Sequence, residues 1–310
     1  MSRNRGSALI SALFIMTLVA IAATAMSTRV QWDIHRTQTS MTSDKLYLAS
    51  QAVTWWAMEK LANKKVTFTT ANKTGQVSQF PTQLKHIYPD ILTSGALIDM
   101  QSRFNINNLQ DEKLQSIFYH LLENTAEKNE PSQFKLIFKA TKNWIGAYQP
   151  EREQDPFLDF YTKQKPAYYP AFQPMQTPSE FRMVYSVTAP RYETLIPYLT
   201  ALPEITPVNI NTASTTLLKS LGNGLNESQV DEILSKRGKK GIANLIKISQ
   251  LLKKLDIPSE QVTIESHYFL SVANTSLNTS HLTVYTLLKR LKNKDGDIVV
   301  SVVNERLNTI

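Results

Sequence analysis

The sequence predicts an α+β chain in which a long amino-terminal helix packs on an antiparallel sheet, with a large all-α block inserted between early and late strands. Three observations carry this prediction. Ser7 to Thr28 is an unbroken run without charge or proline. No glycine or proline interrupts the chain from Ser7 until Gly75. Hydrophobic spacing turns helical after residue 108 and changes to period two after Ile257 and Pro258, the two periods that separate helices from half-buried strands.

The first run has 22 residues, and about 20 apolar residues suffice to cross a bilayer as one helix. Arg3 and Arg5 precede it, which keeps the amino end in the cytoplasm and sends the carboxyl-terminal bulk across. Ala23-Thr24-Ala25 is a small-x-small site of the kind cut in secretory signals, which would leave a soluble chain starting near Met26. The run exceeds the roughly 7 to 15 residues of a signal core, and Val30, Ile34, Met41, Leu46, Leu48, Ala49, Ala52, Trp55, Trp56 and Leu61 continue a helical stripe. One helix from Ser7 to Leu61, about 80 Å long, is therefore favoured.

Beyond it, Lys64 to Phe80 alternates around Asn72 to Gly75 and predicts a hairpin or strand pair. Leu97 to Leu109 starts as a strand and ends in Asn107-Asn108, residues suited to capping a helix. Helices are expected over 112–127 and 133–145, with Leu114, Ile117, Phe118, Leu121, Leu122, Phe134, Ile137 and Phe138 forming core. Residues 146–178, rich in Pro, Tyr and Gln, predict an ordered irregular segment with its tyrosines packed down. Residues 179–202 predict two short helices broken at Pro190. Asn105-Ile106-Asn107-Asn108 is echoed by Asn209-Ile210-Asn211-Thr212, each ahead of a helix and each able to cap backbone N–H groups.

The second copy opens Val208 to Leu255, a helix, Gly-x-Gly turn, helix, Gly turn and helix. Strands are expected over 261–277, 281–292 and 297–307, with turns at 274–278 and 293–296. On this reading Val262, Ile264, Tyr268, Leu270 and Val272 point one way, and the sheet packs on the long helix and buries Trp55 and Trp56. The domain organisation is then a leader over 1–6 and a long helix over 7–62, spanning the membrane at 7–28. The α/β domain takes 63–107 and 259–310, and inserted helical regions take 108–205 and 206–258.

Composition excludes several classes. There is no cysteine, hence no disulfide framework, thiolate metal site or thiol nucleophile. The net charge of +8 is spread along the chain, the pattern of a solvated basic surface more than of a polyanion groove. His35, His86, His120, His267 and His281 show no zinc spacing, and neither a phosphate loop nor a Gly-x-Ser-x-Gly elbow is present. An enzyme is not expected, nor a small-molecule substrate.

A short basic leader ending in Gly6, then Ser7, an apolar helix and an amphipathic continuation resembles the type IV pilin-like amino terminus. The resemblance implies cleavage by prepilin peptidase between Gly6 and Ser7 and methylation of the Ser7 amine. Most pilins carry glutamate at the fifth mature position; here it is Ser11. An intramembrane carboxylate costs at least about 2.5–3.5 kcal/mol, so the family's glutamate needs the amine of a neighbouring subunit, and a chain without it suits the first subunit of a fibre. Lack of the glutamate, large size and a helical insertion together resemble the minor pseudopilin K family of type II secretion systems.

Two internal stretches are similar to that family: Asp99, Arg103, Phe104, Asn105, Asn107, Asn108 and Leu109 in one, Glu180, Phe181, Arg182 and Ala201-Leu202-Pro203 in the other, with Phe181 for the family's leucine. The resemblance implies a pilin-like fold with inserted SAM-like modules, a single pass through the bacterial inner membrane and a periplasmic carboxyl-terminal domain. It implies as partners minor pseudopilins I and J, the major pseudopilin fibre and prepilin peptidase, and as role the capping and starting of the fibre. Family members bind calcium through acidic loops. This chain keeps Trp144-Ile145, but Gly146, Ala147 and Tyr148 replace the aspartates, and Leu158 stands for a glutamate beside Asp159 and Tyr161. With Glu151 and Glu153 nearby, Asp155 and Asp159 are the candidate calcium ligands, and the balance is against a family-like site.

Residues 208–255 are also similar to SAM-like and helix-hairpin-helix domains, which hold nucleic-acid backbones on glycine-rich turns. That rival, a membrane-tethered receptor for DNA uptake, would use Gly222, Gly224, Lys239 and Lys240. Glu227, Asp231 and Glu232 directly follow the first turn and oppose phosphate, so nucleic acid is not the expected partner.

Overall fold

The computed structural model describes residues 5–126, 131–148 and 156–309, with side chains from Ala8 onward at the amino end and from Gln133 after the first gap. Helix α1 spans Arg5–Ala62 without a break, a rod about 87 Å long. Every side chain from Ala8 to Met41 is exposed. Cover begins at Leu46, and Leu46, Ala49, Val53, Ala57 and Leu61 are buried at the three- and four-residue spacing of one helix face.

That face lies on a five-stranded antiparallel sheet of β1 (Gln76–Gln79), β2 (Leu92–Asp99), β7 (Tyr268–Leu277), β8 (Ser280–Lys292) and β9 (Ile298–Leu307), in the order β1-β2-β7-β8-β9. Phe269, Ala273, Val284 and Leu288 fill the space between sheet and helix. A Cβ on Gly95 would stand 2.5 Å from Val53 Cγ1 and 2.5 Å from the Val272 carbonyl oxygen. Glycine there is what allows α1 to lie so close to β2.

Several expectations need correction. Trp56 is buried and meets Phe80 edge-on at 5.6 Å, but Trp55 is 63% exposed. Trp55 lies two positions, about 200° round the helix, from both Val53 and Ala57 on the covered face, so its ring points away from the sheet. In β7 Tyr268, Leu270 and Val272 share one face as expected, directed away from α1 toward Met100, Leu202 and Leu287, but Val262 and Ile264 belong instead to the core of the inserted block. The alternate residues face the helix, because small Ala273 is what fits beneath it. Only 76–79 of the expected early hairpin is a strand, and it pairs with β2. The Asn72–Gly75 turn is present, but Thr69 is taken up by a hydrogen bond to the Lys240 carbonyl. Strand β7 continues through Asn274–Leu277, leaving Asn278 at φ 53° to turn the chain.

The inserted block has its own core. Its helices are α2 (Glu112–Asn124), α3 (Pro131–Ile145), α4 (Leu158–Thr162), α5 (Ala189–Leu195), α6 (Thr215–Lys219), α7 (Glu227–Arg237) and α8 (Ser249–Lys254). Pro190 does not break a helix; it sits in the first turn of α5, whose cap is Thr188, where its missing N–H costs nothing. Tyr161 is fully buried, whereas Tyr148 and Tyr169 are exposed.

The sequence echo is a structural one. β3 (Phe104–Asn105) pairs in parallel with β4 (Leu199–Thr200), and β5 (Val208–Asn209) with β6 (Val262–Thr263). Asn105 Oδ1 accepts from the Asn107 amide and Asn209 Oδ1 from the Asn211 amide. Asn107 and Asn108 cap no helix, since Asp111 caps α2. Instead Asn107 exchanges two hydrogen bonds with the Met175 backbone, Asn211 does the same with Ile242, and Asn108 with Thr206.

Candidate assembly surface

The largest uncovered feature is α1 itself. Among the described residues it is the one helix long and apolar enough to cross a membrane. Gly6 and Ser7 fall in its first turn. Ser11 lies on the exposed part of the span with Ala8, Ala12 and Ala22, small residues that let a second helix approach closely in lipid. Beyond the span Ile34, Met41, Leu48 and Trp55 recur every seven residues and are 50%, 54%, 55% and 63% exposed. Leu48 and Trp55 each follow a buried residue, Leu46 and Val53, by two positions, about 200° round the helix. An apolar stripe therefore runs opposite the sheet-covered face, and seven-residue spacing is the period at which one helix packs along another.

A polar clamp holds this rod to the edge strand. Tyr47 Oη donates to Glu305 Oε1 at 2.7 Å, Gln51 Nε2 to Oε2 at 3.1 Å and Thr286 Oγ1 to Oε2 at 3.2 Å. The hydrogen bond to Glu305 raises the Tyr47 pKa above its ordinary value, with burial and the carboxylate charge adding to it. The sequence carries no local signal for this clamp, in which Tyr47 and Gln51 lie 258 and 254 positions from Glu305.

At the other end of α1 the second helical module buries Gly222, whereas Gly224 and Gly238 are exposed. The Gly222 amide donates to Gln261 Oε1 at 2.7 Å, and a Cβ on Gly222 would stand 2.7 Å from the Asp256 carbonyl oxygen. Gly224 packs against the His120 ring. Lys239 and Lys240 are exposed, on the other glycine turn. The Gly222 amide is thus committed inside the fold.

Of the candidate calcium ligands, Asp159 lies in the first turn of α4, exposed and ion-paired with Lys163, and Asp155, with Glu151 and Glu153, lies outside the described residues. Among the described residues no three His, Asp or Glu side chains converge. A calcium ion needs six or more oxygens, and of the candidate acids only Asp159 lies among the described residues.

Residues 102–204 and 208–265 match two models, both described as Type II secretion system (T2SS), protein K, which together span more than half of the chain. The chain belongs to the type II secretion system protein K family. Proteins of that name from Pseudomonas aeruginosa, Klebsiella pneumoniae and Pectobacterium carotovorum are similar to it. The first is 29% identical over 210 residues, 65% of this chain and 61% of that protein. The second is 28% identical over 230 residues, covering 68% and 67%. The third is 26% identical over 277 residues, 80% of each. The chain thus aligns with about three fifths of the Pseudomonas protein's length. The fold is also that of a chain in the crystal structure of the GspK-GspI-GspJ complex from enterotoxigenic Escherichia coli, with TM-score 0.69 and 20% identity over 89% of this chain and 100% of that one.

Proposed function

We propose that this chain is a minor pseudopilin of type II secretion, anchored in the inner membrane with its carboxyl-terminal domain in the periplasm, that caps the tip of the pseudopilus and helps to start its assembly. The observation that carries this is α1: a rod bare from Ala8 to Met41, with a membrane span at one end and an apolar stripe opposite its own sheet. Such a rod can satisfy its apolar surface only in lipid and against other helices. Family membership supports the secretion role. The structure of the Escherichia coli complex, whose components are GspK, GspI and GspJ, supports minor pseudopilins I and J as partners on that stripe.

Two features favour the tip. Ser11 offers no carboxylate to a subunit already in place, and the module that meets Thr69 through Lys240 lies just past the carboxyl end of α1, where a preceding subunit would otherwise stack. Processing between Gly6 and Ser7 by prepilin peptidase and methylation of Ser7 belong to the same reading. We take 63–107 with 259–310 as the pilin-like domain, and 108–205 and 206–258 as two SAM-like insertions, the first following the Asn105-Ile106-Asn107 bracket and the second containing Asn209-Ile210-Asn211.

The test is a Ser11→Glu chain bearing an epitope, followed by immunogold labelling of pseudopili. The wild type is expected only at fibre ends and the variant along the shaft. Wild-type label distributed along the shaft would overturn the capping role.

A further inference from the structure

Two stretches of this chain carry positive charge and no acid at all. Residues 60–89 hold five lysines, and residues 236–255 hold six lysines and Arg237, with neither Asp nor Glu in either. They are far apart in sequence, yet the fold brings them together. Thr69 Oγ1 donates to the Lys240 carbonyl at 2.9 Å, and a Cβ on Gly241 would stand 2.4 Å from Thr69 Cβ, so the two backbones touch with no room for a side chain. Lys65 and Lys73 lie four residues either side of Thr69, within about 14 Å along even a fully extended chain.

The acids of the rest of the molecule neutralise little of this face. Asp297 pairs with Lys64 and Glu232 with Lys254. Lys65, Lys73, Lys239, Lys240 and Lys247 are exposed and form no ion pair with the described residues. A single-sign patch of this kind repels like charge, raises the local concentration of anions and steers their approach.

The chemistry of the patch narrows the anion. Nucleic-acid surfaces combine cations with stacking rings and outward amide donors. Residues 236–255 contain no aromatic residue, the rings of Phe68, Phe80 and Tyr88 in 60–89 pack on the core between α1 and the sheet, and the Gly222 amide is spent on Gln261. The planar fork that pairs with phosphate is absent too, because Arg237 Nη1 donates to the carbonyls of Ile210, Asn211 and Ala213. What remains is flexible lysine ammoniums, point charges without a fixed docking geometry, which suit an extended acidic surface more than one bidentate anion.

We propose that the lysine face joined at the Thr69–Lys240 contact is a docking surface for an acidic protein surface, rich in Asp and Glu, at the end of the molecule away from the membrane span. The proposal goes beyond the capping role and does not require it. The experiment uses the full chain in neutral detergent and a fluorescein-labelled peptide of alternating Glu and Ser, with binding followed by anisotropy from about 20 mM to about 300 mM salt, a range over which screening removes most surface attraction.

Lys239→Glu with Lys240→Glu is expected to weaken binding at low salt at least tenfold, Lys239→Gln with Lys240→Gln by an intermediate factor, and salt to weaken binding to the wild type. Lys135→Glu with Lys139→Glu on α3 makes the same change in net charge and is expected to leave binding within twofold. Equal loss in both charge-reversal pairs would reduce the effect to net charge and overturn the site. So would binding indifferent to Lys239 and Lys240. Lys239-dependent binding of a single-stranded DNA oligonucleotide of equal formal charge, tighter than that of the peptide, would overturn the carboxylate assignment.

Discussion

Thr212 donates its hydroxyl to Asp99 Oδ2 at 2.6 Å across 113 positions of sequence, and this bond joins the inserted helical block to the end of β2. Ser266 Oγ at 2.8 Å and Asn209 Nδ2 at 3.0 Å share the same oxygen, and the Gln101 amide donates to Oδ1 at 2.9 Å. Asp99 is fully buried. Asp99→Ala removes the acceptor of four buried hydrogen bonds and should cost about 3 kcal/mol or more, read from chemical denaturation.

The same carboxyl gives a pH dependence. Burial raises the Asp99 pKa, and the hydrogen bonds from Thr212, Ser266, Gln101 and Asn209 only partly pull it back. For a folded-state pKa above the unfolded one, the contribution to stability is fully present below the unfolded value, near 4 for aspartate, and is lost as pH rises through the folded value. Melting curves across this window should show that fall in the wild type and its absence in Asp99→Asn. A wild-type contribution that instead grows with pH would contradict the assignment.

Asn107 and Asn211 are two copies of one device, an amide side chain that pairs with a distant backbone on both its donor and acceptor sides. Aspartate at either position sets a carboxylate oxygen against a carbonyl. Asn107→Asp and Asn211→Asp should each lose about 2–3 kcal/mol near neutral pH and recover part of it when the new acid is protonated and can donate again. Denaturation midpoints at two pH values measure both effects.

Gly95 sets how near α1 lies to the sheet. Gly95→Ala drives a methyl into Val53 and the Val272 carbonyl and should cost about 1–3 kcal/mol, as overpacking does. Pairing it with Val53→Ala should restore part of the loss, which a double-mutant cycle would detect.

Much of this was legible beforehand for physical reasons. A run without glycine, proline or charge can hardly be anything but the start of a long helix, and α1 follows it. The Asn-Ile-Asn echo pointed to paired caps because short amide side chains compete so well for free N–H groups. What stayed hidden depends on partners remote in sequence. Alternation in β7 defines two faces but cannot say which one meets a helix; Gly95 and Ala273, small and opposite each other in register, decide it. The inward turn of the Gly222 amide depends on Gln261, and the brackets at Asn107 and Asn108 on Met175 and Thr206. At the assembly surface the apolar residues were visible as one stripe, whereas their division into a buried and an exposed face needed the sheet.

That division makes a prediction of its own. Leu61→Ala on the covered face should cost about 2–5 kcal/mol. Leu48→Glu on the exposed face should leave stability within about 0.5 kcal/mol and lower co-purification with other pseudopilins. Loss of stability in Leu48→Glu, or unimpaired co-purification, would contradict an assembly stripe.

The assembly reading requires that the chain keep its rod, so the most direct measurement is the mature amino terminus of protein taken from its own membranes, by intact mass and terminal sequencing. Processing after Gly6 predicts a start at Ser7 with a methylated amine, which leaves the span and the stripe in one helix. A start near Met26 would mean signal-peptide cleavage after Ala23-Thr24-Ala25, a chain without its span, and a contradiction of the capping role.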